Sequence, residues 1–231
     1  MYRSKARKRF TIHMSLDTYL YKYAVTDYEG NSGQIPAQTA RLAQLVQSLP
    51  SCANILEIGF NAGHSANTFL SHSLAHVISF DLGDRGSVPY AKKFMDLKYP
   101  TRHTLIIGDS TQTIPEWTKR SDMTKQILTQ DLSQAKPENI RVGRSPTQDL
   151  LFIDGGHTYE IAMADIMNCK ALAHKDTIVV IDDVCMTLAD QQEWTLGPTK
   201  AWSECMMNGI ISMEGSERYA VGRGMCWGKY N

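Results

Sequence analysis

Residues 54–65 read Asn54-Ile55-Leu56-Glu57-Ile58-Gly59-Phe60-Asn61-Ala62-Gly63-His64-Ser65. Ile55, Leu56 and Ile58 make a short apolar run of the length of a buried strand. Gly59 and Gly63 let the backbone turn tightly and approach a ligand with no Cβ in the way. Ser65 opens the next segment, read as a helix whose free N–H groups favour an electron-rich ligand group. Strand, glycine loop and helix in this order make a nucleotide cradle.

Upstream, Ile35, Leu42, Leu45, Val46 and Leu49 recur at helical spacing over residues 34–49, with Pro36 in the first turn and Pro50 at the end. Downstream, strands are predicted over 76–80, 103–107, 150–153 and 177–181. Helices are predicted over 65–71, 90–98, 112–117, 159–173 and 199–207. In the helix over 159–173, Ile161, Met163, Ile166, Met167 and Leu172 are the candidate core positions. Two β-like runs, 210–213 and 218–227, close the chain. Residues 119–148 are polar, contain Pro137, Gly143 and Pro146, and are long for a plain loop. They are expected to form a lid or a decoration.

Five apolar runs with helices between them imply an α/β fold, a parallel sheet covered on both faces. The runs end in polar or acidic residues: Glu57, Asp81, Asp109, Asp154 and the pair Asp182-Asp183. Ligands of open α/β sheets bind outside the carboxyl ends of the strands, so these acids converge on one rim.

The chain has 231 residues, 42% hydrophobic and 21% charged, which suits a single globular domain. No apolar run approaches the ~20 residues that span a membrane, and the N-terminus lacks a signal-peptide pattern. The five cysteines are dispersed without C-x-x-C spacing, which argues for reduced thiols and a cytoplasmic setting. Net charge is zero, yet Arg3, Lys5, Arg7, Lys8 and Arg9 crowd the first ten residues. Such an arm binds nucleic acid or is simply solvated; its shortness favours the solvated reading. Residues 1–33 are accordingly read as a basic arm and cap, and 34–231 as the domain.

Asp81 follows Gly59 by 22 residues at the end of the second strand. That spacing suits a carboxylate that accepts from ribose hydroxyls. The NAD fingerprint needs G-x-G-x-x-G, whereas the spacing here is Gly59-x-x-x-Gly63, and the Gly-Lys-Ser/Thr of a P-loop is absent. Such a loop suits a nucleoside without pyrophosphate, such as S-adenosylmethionine. On Glu57-Ile58-Gly59-Phe60-Asn61-Ala62-Gly63 the chain resembles the class I S-adenosylmethionine-dependent methyltransferases. The likeness is greatest to small-molecule O-methyltransferases of the catechol O-methyltransferase type. It extends over residues 34–184 and includes Ile107-Gly108-Asp109-Ser110, Asp149 to Asp154, and Val180-Ile181-Asp182-Asp183-Val184. The resemblance implies a Rossmann-like fold with a mostly parallel seven-stranded sheet. It also implies that Gly59 and Gly63 line the methionine portion of the cofactor, with Asn61 and Ser65 near its carboxylate. Asp81 would hold the ribose, and Asp109 and Ser110 would border the adenine. Glu57 would contact the cofactor or order the loop from behind, and Asp109 has helix capping as its alternative role.

Asp154, Asp182 and Asp183 would reach the rim from two neighbouring strands. Clustered carboxylates raise one another's pKa unless a cation neutralises them. Three oxygen donors suit a divalent ion such as Mg²⁺. In the resembled family the metal ligands come from these strand ends, with an Asp-Asn pair at the second; here the pair is Asp182-Asp183, which adds charge and keeps an oxygen donor. The alternative is that one aspartate contacts cofactor while the others cap helices. With Asp154 at the catalytic centre, His157 stands three residues on, where the resembled enzymes carry a catalytic lysine, and its intrinsic pKa suits a general base. A cofactor-packing or loop-ordering histidine is the alternative. His64 reads as a helix-start residue, and Trp117, Trp194 and Trp202 as core or pocket aromatics.

These readings converge on methyl transfer to a hydroxyl of a small molecule, with divalent-metal assistance and a homodimer as one expected assembly. The rival readings are a methyltransferase acting on RNA or another macromolecule, an NAD-dependent oxidoreductase and a non-catalytic binding module.

Overall fold

The structure, a computed structural model, describes residues 14–26, 28, 32–119 and 147–231. The basic run at 3–9 and nearly all of the expected 119–148 lid lie outside these residues. Strands β1 (Asn54–Ile58), β2 (His76–Asp81), β3 (His103–Ile107), β4 (Gln148–Ile153) and β5 (Ala173–Asp182) pair in parallel. A hairpin of β6 (Ile211–Ala220) and β7 (Arg223–Tyr230) completes a seven-stranded sheet of order β3-β2-β1-β4-β5-β7-β6, with β7 antiparallel to β5. The chain reverses its direction of travel across the sheet between β1 and β4, and ligand crevices open at such switch points.

Helices cover both faces: α1 (Leu16–Lys22), α2 (Pro36–Gln47), α3 (His64–His72), α4 (Val88–Lys98), α5 (residues 110–119), α6 (Tyr159–Lys170) and α7 (Glu193–Met207). Alternation along the strands sorts their side chains into two cores. Ile55, Phe152 and Val180 pack with α1 to α4, through Leu20, Leu42, Phe69 and Phe94. Leu56, Ile153 and Ile181 pack with α6 and α7, through Ile166 and Trp202. The N-terminal helix is part of this body, since Leu16, Tyr19 and Leu20 are buried in the first core.

Four sequence expectations shift. Helix α6 ends at Lys170, and Ala173 already belongs to β5, opposite Gln148. Met167, expected in the core, is 43% exposed because it faces away from the sheet side that Ile166 covers. Residues 218–227 are not one strand: Gly222 turns at φ 68° and separates β6 from β7. Helix α7 begins at Glu193, six residues earlier than predicted, where Gln192 and Thr195 cap each other reciprocally; Pro198 lies inside the helix rather than before it.

Candidate active site

The tips of β1 to β5 border one cavity of about 660 Å³, and the 59–65 loop forms its floor. Gly59 sits at φ 90°, and a Cβ there would lie 1.9 Å from the carbonyl oxygen of Asp154. The β1 and β4 tips can therefore touch only because this residue has no side chain. Gly63, at φ 79°, caps the start of α3. Asp81 braces the loop: its Oδ2 accepts from the N–H groups of Phe60 (2.9 Å) and Asn61 (2.8 Å), and its Oδ1 from Gly83 N–H (2.7 Å). Asn61 adopts a left-handed φ of 43°, and its Oδ1 accepts from the Ser87 hydroxyl at 3.0 Å.

Gly59, Asn61, Gly63, Ser65, Asp81, Asp109, Ser110 and Asp154 all line the cavity. Asp109 also caps α5, its Oδ1 accepting from Thr111 N–H (2.9 Å) and the Thr111 hydroxyl (2.7 Å). Glu57 does not line the cavity. It is fully buried behind the loop, where the hydroxyls of Ser65 and Ser79 each donate to it at 2.5 Å. Burial pushes its carboxyl up to about 7 in spite of these donors. Trp117 packs edge-on against Phe80, outside the cavity lining.

At the far end the β4 and β5 tips present Asp154, His157 and Asp183. One donor atom from each lies within 4.8 Å of the others. Asp183 leaves strand geometry at φ 56°, which swings its carboxylate into the cavity. There its Oδ2 lies 3.0 Å from His157 Nε2, and its Oδ1 lies 3.9 Å from the Arg223 guanidinium. That Oδ1 is buried with no hydrogen-bond partner. The hydrogen bond to Asp183 raises the His157 pKa against the opposing effect of partial burial. Burial, together with the charges of Asp182 and Asp183, pushes the Asp154 carboxyl well above the usual carboxylate range.

Asp182 stands apart from this group. It continues the β5 alternation onto the face that carries α2, where Gln38 Nε2 donates to its Oδ2 at 2.5 Å. Burial and the neighbouring Asp183 push it up to about 7. The fold thus gathers Asp154, His157 and Asp183 in place of the expected Asp154, Asp182 and Asp183. The orphaned Asp183 oxygen and the raised Asp154 pKa fit a cation at this point; the two carboxylates suit Mg²⁺ or Mn²⁺, and the imidazole beside them widens the choice to Fe²⁺ or Zn²⁺.

Some lining residues had no sequence signal. Arg223 begins the antiparallel β7, and only the insertion of that strand beside β5 brings it to the rim. Ser32 belongs to a short 3-10 turn, and His64 read as a plain helix start. Trp194, by contrast, is read from the sequence as a core or pocket aromatic, and it lines the cavity with its indole N–H donating to the Gly222 carbonyl at 3.1 Å.

Residues 56–184 match a family model described as a methyltransferase domain. Among curated proteins none matches the sequence significantly. Among solved structures, the chain resembles cofactor-bound Rv0187 from MTB with a TM-score of 0.67 and 15% identity, over 93% of this chain and 88% of that one. It resembles the O-methyltransferase from Bacillus cereus in complex with SAH at TM-score 0.63 and 16% identity, over 94% and 90%. It resembles the O-methyltransferase TomG from Streptomyces achromogenes in complex with SAM at 0.62 and 14%, over 94% and 87%. At such identities the likeness is one of fold.

Proposed function

The chain belongs to the methyltransferase-domain family, and from that membership we propose that it transfers the methyl group of S-adenosylmethionine to a hydroxyl of a small molecule. One observation carries this reading: the paired His157 and Asp183 share a single cavity with the Gly59–Gly63 loop. A cradle without pyrophosphate-binding glycines meets a base held by a carboxylate, and that combination suits proton removal from a hydroxyl beside a sulfonium. The O-methyltransferases among the structural neighbours agree with it.

In this mechanism Asp81 accepts from the ribose hydroxyls through lone pairs left over from its three backbone contacts. Asp109 and Ser110 border the adenine. The acceptor lies between Trp194 and His157, with its hydroxyl hydrogen on Nδ1, because Nε2 carries the hydrogen donated to Asp183. His157 takes that proton as the oxygen attacks the methyl carbon in line with the C–S bond. Asp183 stabilises the imidazolium that results, and the sulfonium becomes a neutral thioether. Holding the two reactants in line removes much of the entropic barrier.

Asp154, Asp183 and His157 are the residues that would hold a divalent ion, which would orient the acceptor oxygen and lower its pKa. Ligation of an ion through His157 Nε2 would displace the hydrogen that this nitrogen donates to Asp183, so metal binding and the identity of the base are decided together. Mn²⁺ and Mg²⁺ titrated by calorimetry into the wild type and Asp183→Ala test the point. Heat from the wild type alone supports the ion; no heat from either protein removes it. The transfer itself is tested by mass spectrometry with S-adenosylmethionine and a panel of phenols, sugars and hydroxy acids. A 14-dalton gain on an acceptor, about one CH₂, is the expected outcome, and no product across the panel overturns the reading.

A further inference from the structure

Arg223, at the acceptor end, has no part in the chemistry above. It opens β7 and lines the cavity with Trp194, His157 and Asp183. Its side chain is 35% exposed, so it is not sealed into the wall. The backbone on both sides holds it there. Gly222 turns at φ 68° against Trp194, where a Cβ would lie 2.6 Å from the indole Cζ2. Gly224 packs on Val184, where a Cβ would lie 2.5 Å from the carbonyl oxygen. Two hydrogen bonds fix the same contacts: the Trp194 indole N–H donates to the Gly222 carbonyl at 3.1 Å, and the Val184 N–H to the Gly224 carbonyl at 3.0 Å. Arg223 is thus clamped between the residue that follows Asp183 and an aromatic of α7.

The guanidinium has donors to spare. Asp183 Oδ1 lies 3.9 Å away, which makes an ion pair but is too long for a hydrogen bond. No other ion-pair or hydrogen-bond partner of the guanidinium occurs among the described residues. Five N–H donors in a rigid planar fork match a carboxylate or a phosphate bidentately. Asp183 decides between the two. Its negative charge repels a second anion, and a doubly charged phosphate meets more of that repulsion than a singly charged carboxylate.

Trp194 adds the shape. The one polar atom of its side chain is engaged by Gly222, so what it offers the cavity is an apolar ring, 40% exposed, that suits a flat apolar body. Arg223 and His157 flank the Asp183 carboxylate, one at Oδ1 and the other at Oδ2. A molecule that reaches both carries its anion and its hydroxyl on one short frame.

We propose that Arg223 is a specificity-determining residue that binds a carboxylate on the acceptor, and that the acceptor is a flat hydroxy acid whose ring lies on Trp194. The inference rests on the methyl transfer assigned under the proposed function and narrows its small-molecule acceptor to one class.

Matched acceptors test it. The ortho, meta and para hydroxybenzoates carry the anion, and their methyl esters keep the ring and hydroxyl without it. For at least one isomer the wild type should favour the acid over its ester in kcat/KM by about 10- to 100-fold, chiefly through KM. Arg223→Gln should abolish that preference. The acid-to-ester ratio cancels any effect of the substitution on the His157–Asp183 pair, which acts on both members alike. Arg223→Lys keeps the charge and loses the fork, so it should give an intermediate ratio, and it carries the readout if Arg223→Gln fails to fold. Turnover of uncharged acceptors alone, an acid no better than its ester for every isomer, or a ratio unmoved in both variants overturns the proposal and leaves methyl transfer intact. No methylation of these or of any other acceptor overturns the proposed function, and this inference with it.

Discussion

His157 and Asp183 tie the proposed chemistry to pH through a single hydrogen bond. A histidine base must be unprotonated, and Asp183 raises its pKa. The rate should therefore climb with pH through an inflection above the ordinary histidine value. Asp183→Asn removes the charge, so a pH–kcat/KM profile of that variant should show the inflection moved to lower pH. His157→Gln should cut kcat by about 10²- to 10⁴-fold, with S-adenosylhomocysteine binding retained; an unchanged kcat would assign the base elsewhere. The same pair contributes stability fully below the unfolded histidine pKa, and that contribution is lost as pH rises through the raised one. It is small, because His157 is half exposed. At this scale the acids at strand ends were legible from the pattern of apolar runs. The division of work between Asp182 and Asp183 was not, since it turns on one residue adopting a left-handed φ.

Two helices press on the rim from opposite faces, and each can be tested. Gly197 of α7 packs so closely on the β4–α6 connection that a Cβ would lie 2.2 Å from the His157 carbonyl oxygen. Gly197→Ala should push α7 off that connection and displace His157. The expected result is a fall in kcat together with a loss of about 1–3 kcal/mol in a urea titration. On the other face, Gln38 of α2 supplies the hydrogen bond to buried Asp182. Gln38→Leu leaves that carboxyl without its donor and should cost about 1–3 kcal/mol, read from the same kind of titration. The limits of β1 and β3 were legible because each is a short apolar-rich run closed by a glycine, whether buried like β1 or partly exposed at the sheet edge like β3. The start of α7 was obscured because Pro198 resembles a stop signal, while the reciprocal cap made by Gln192 and Thr195 is visible only once the helix has formed.

Over the whole molecule, the buried acids set how stability responds to pH. Burial raises Glu57 and Asp182 to about 7 and lifts Asp154 as well. Between about pH 4 and about pH 7 the native state keeps protons that the unfolded chain has already released. Stability from these groups therefore falls as pH rises across that window. Thermal melts of the wild type should show Tm declining toward neutrality, and Glu57→Gln, which has nothing to ionise, should flatten the decline; an equal slope in the two proteins would mean that Glu57 does not contribute. The sequence by itself determined the class of fold and the succession along the chain of the strands whose ends bear the rim, while their order in the sheet came from the tertiary structure. Class and succession follow from local properties: the length of apolar runs, the glycines that permit a tight turn, and the polar residues that end each strand. Only the tertiary structure decided which side chains share the cavity. Asp183 meets His157 because β4 pairs with β5, it meets Arg223 because β7 inserts on the other side of β5, and His64 meets Asp17 because α1 packs near the start of α3. Those contacts join residues far apart in the chain through packing, and packing leaves no periodic trace in the sequence.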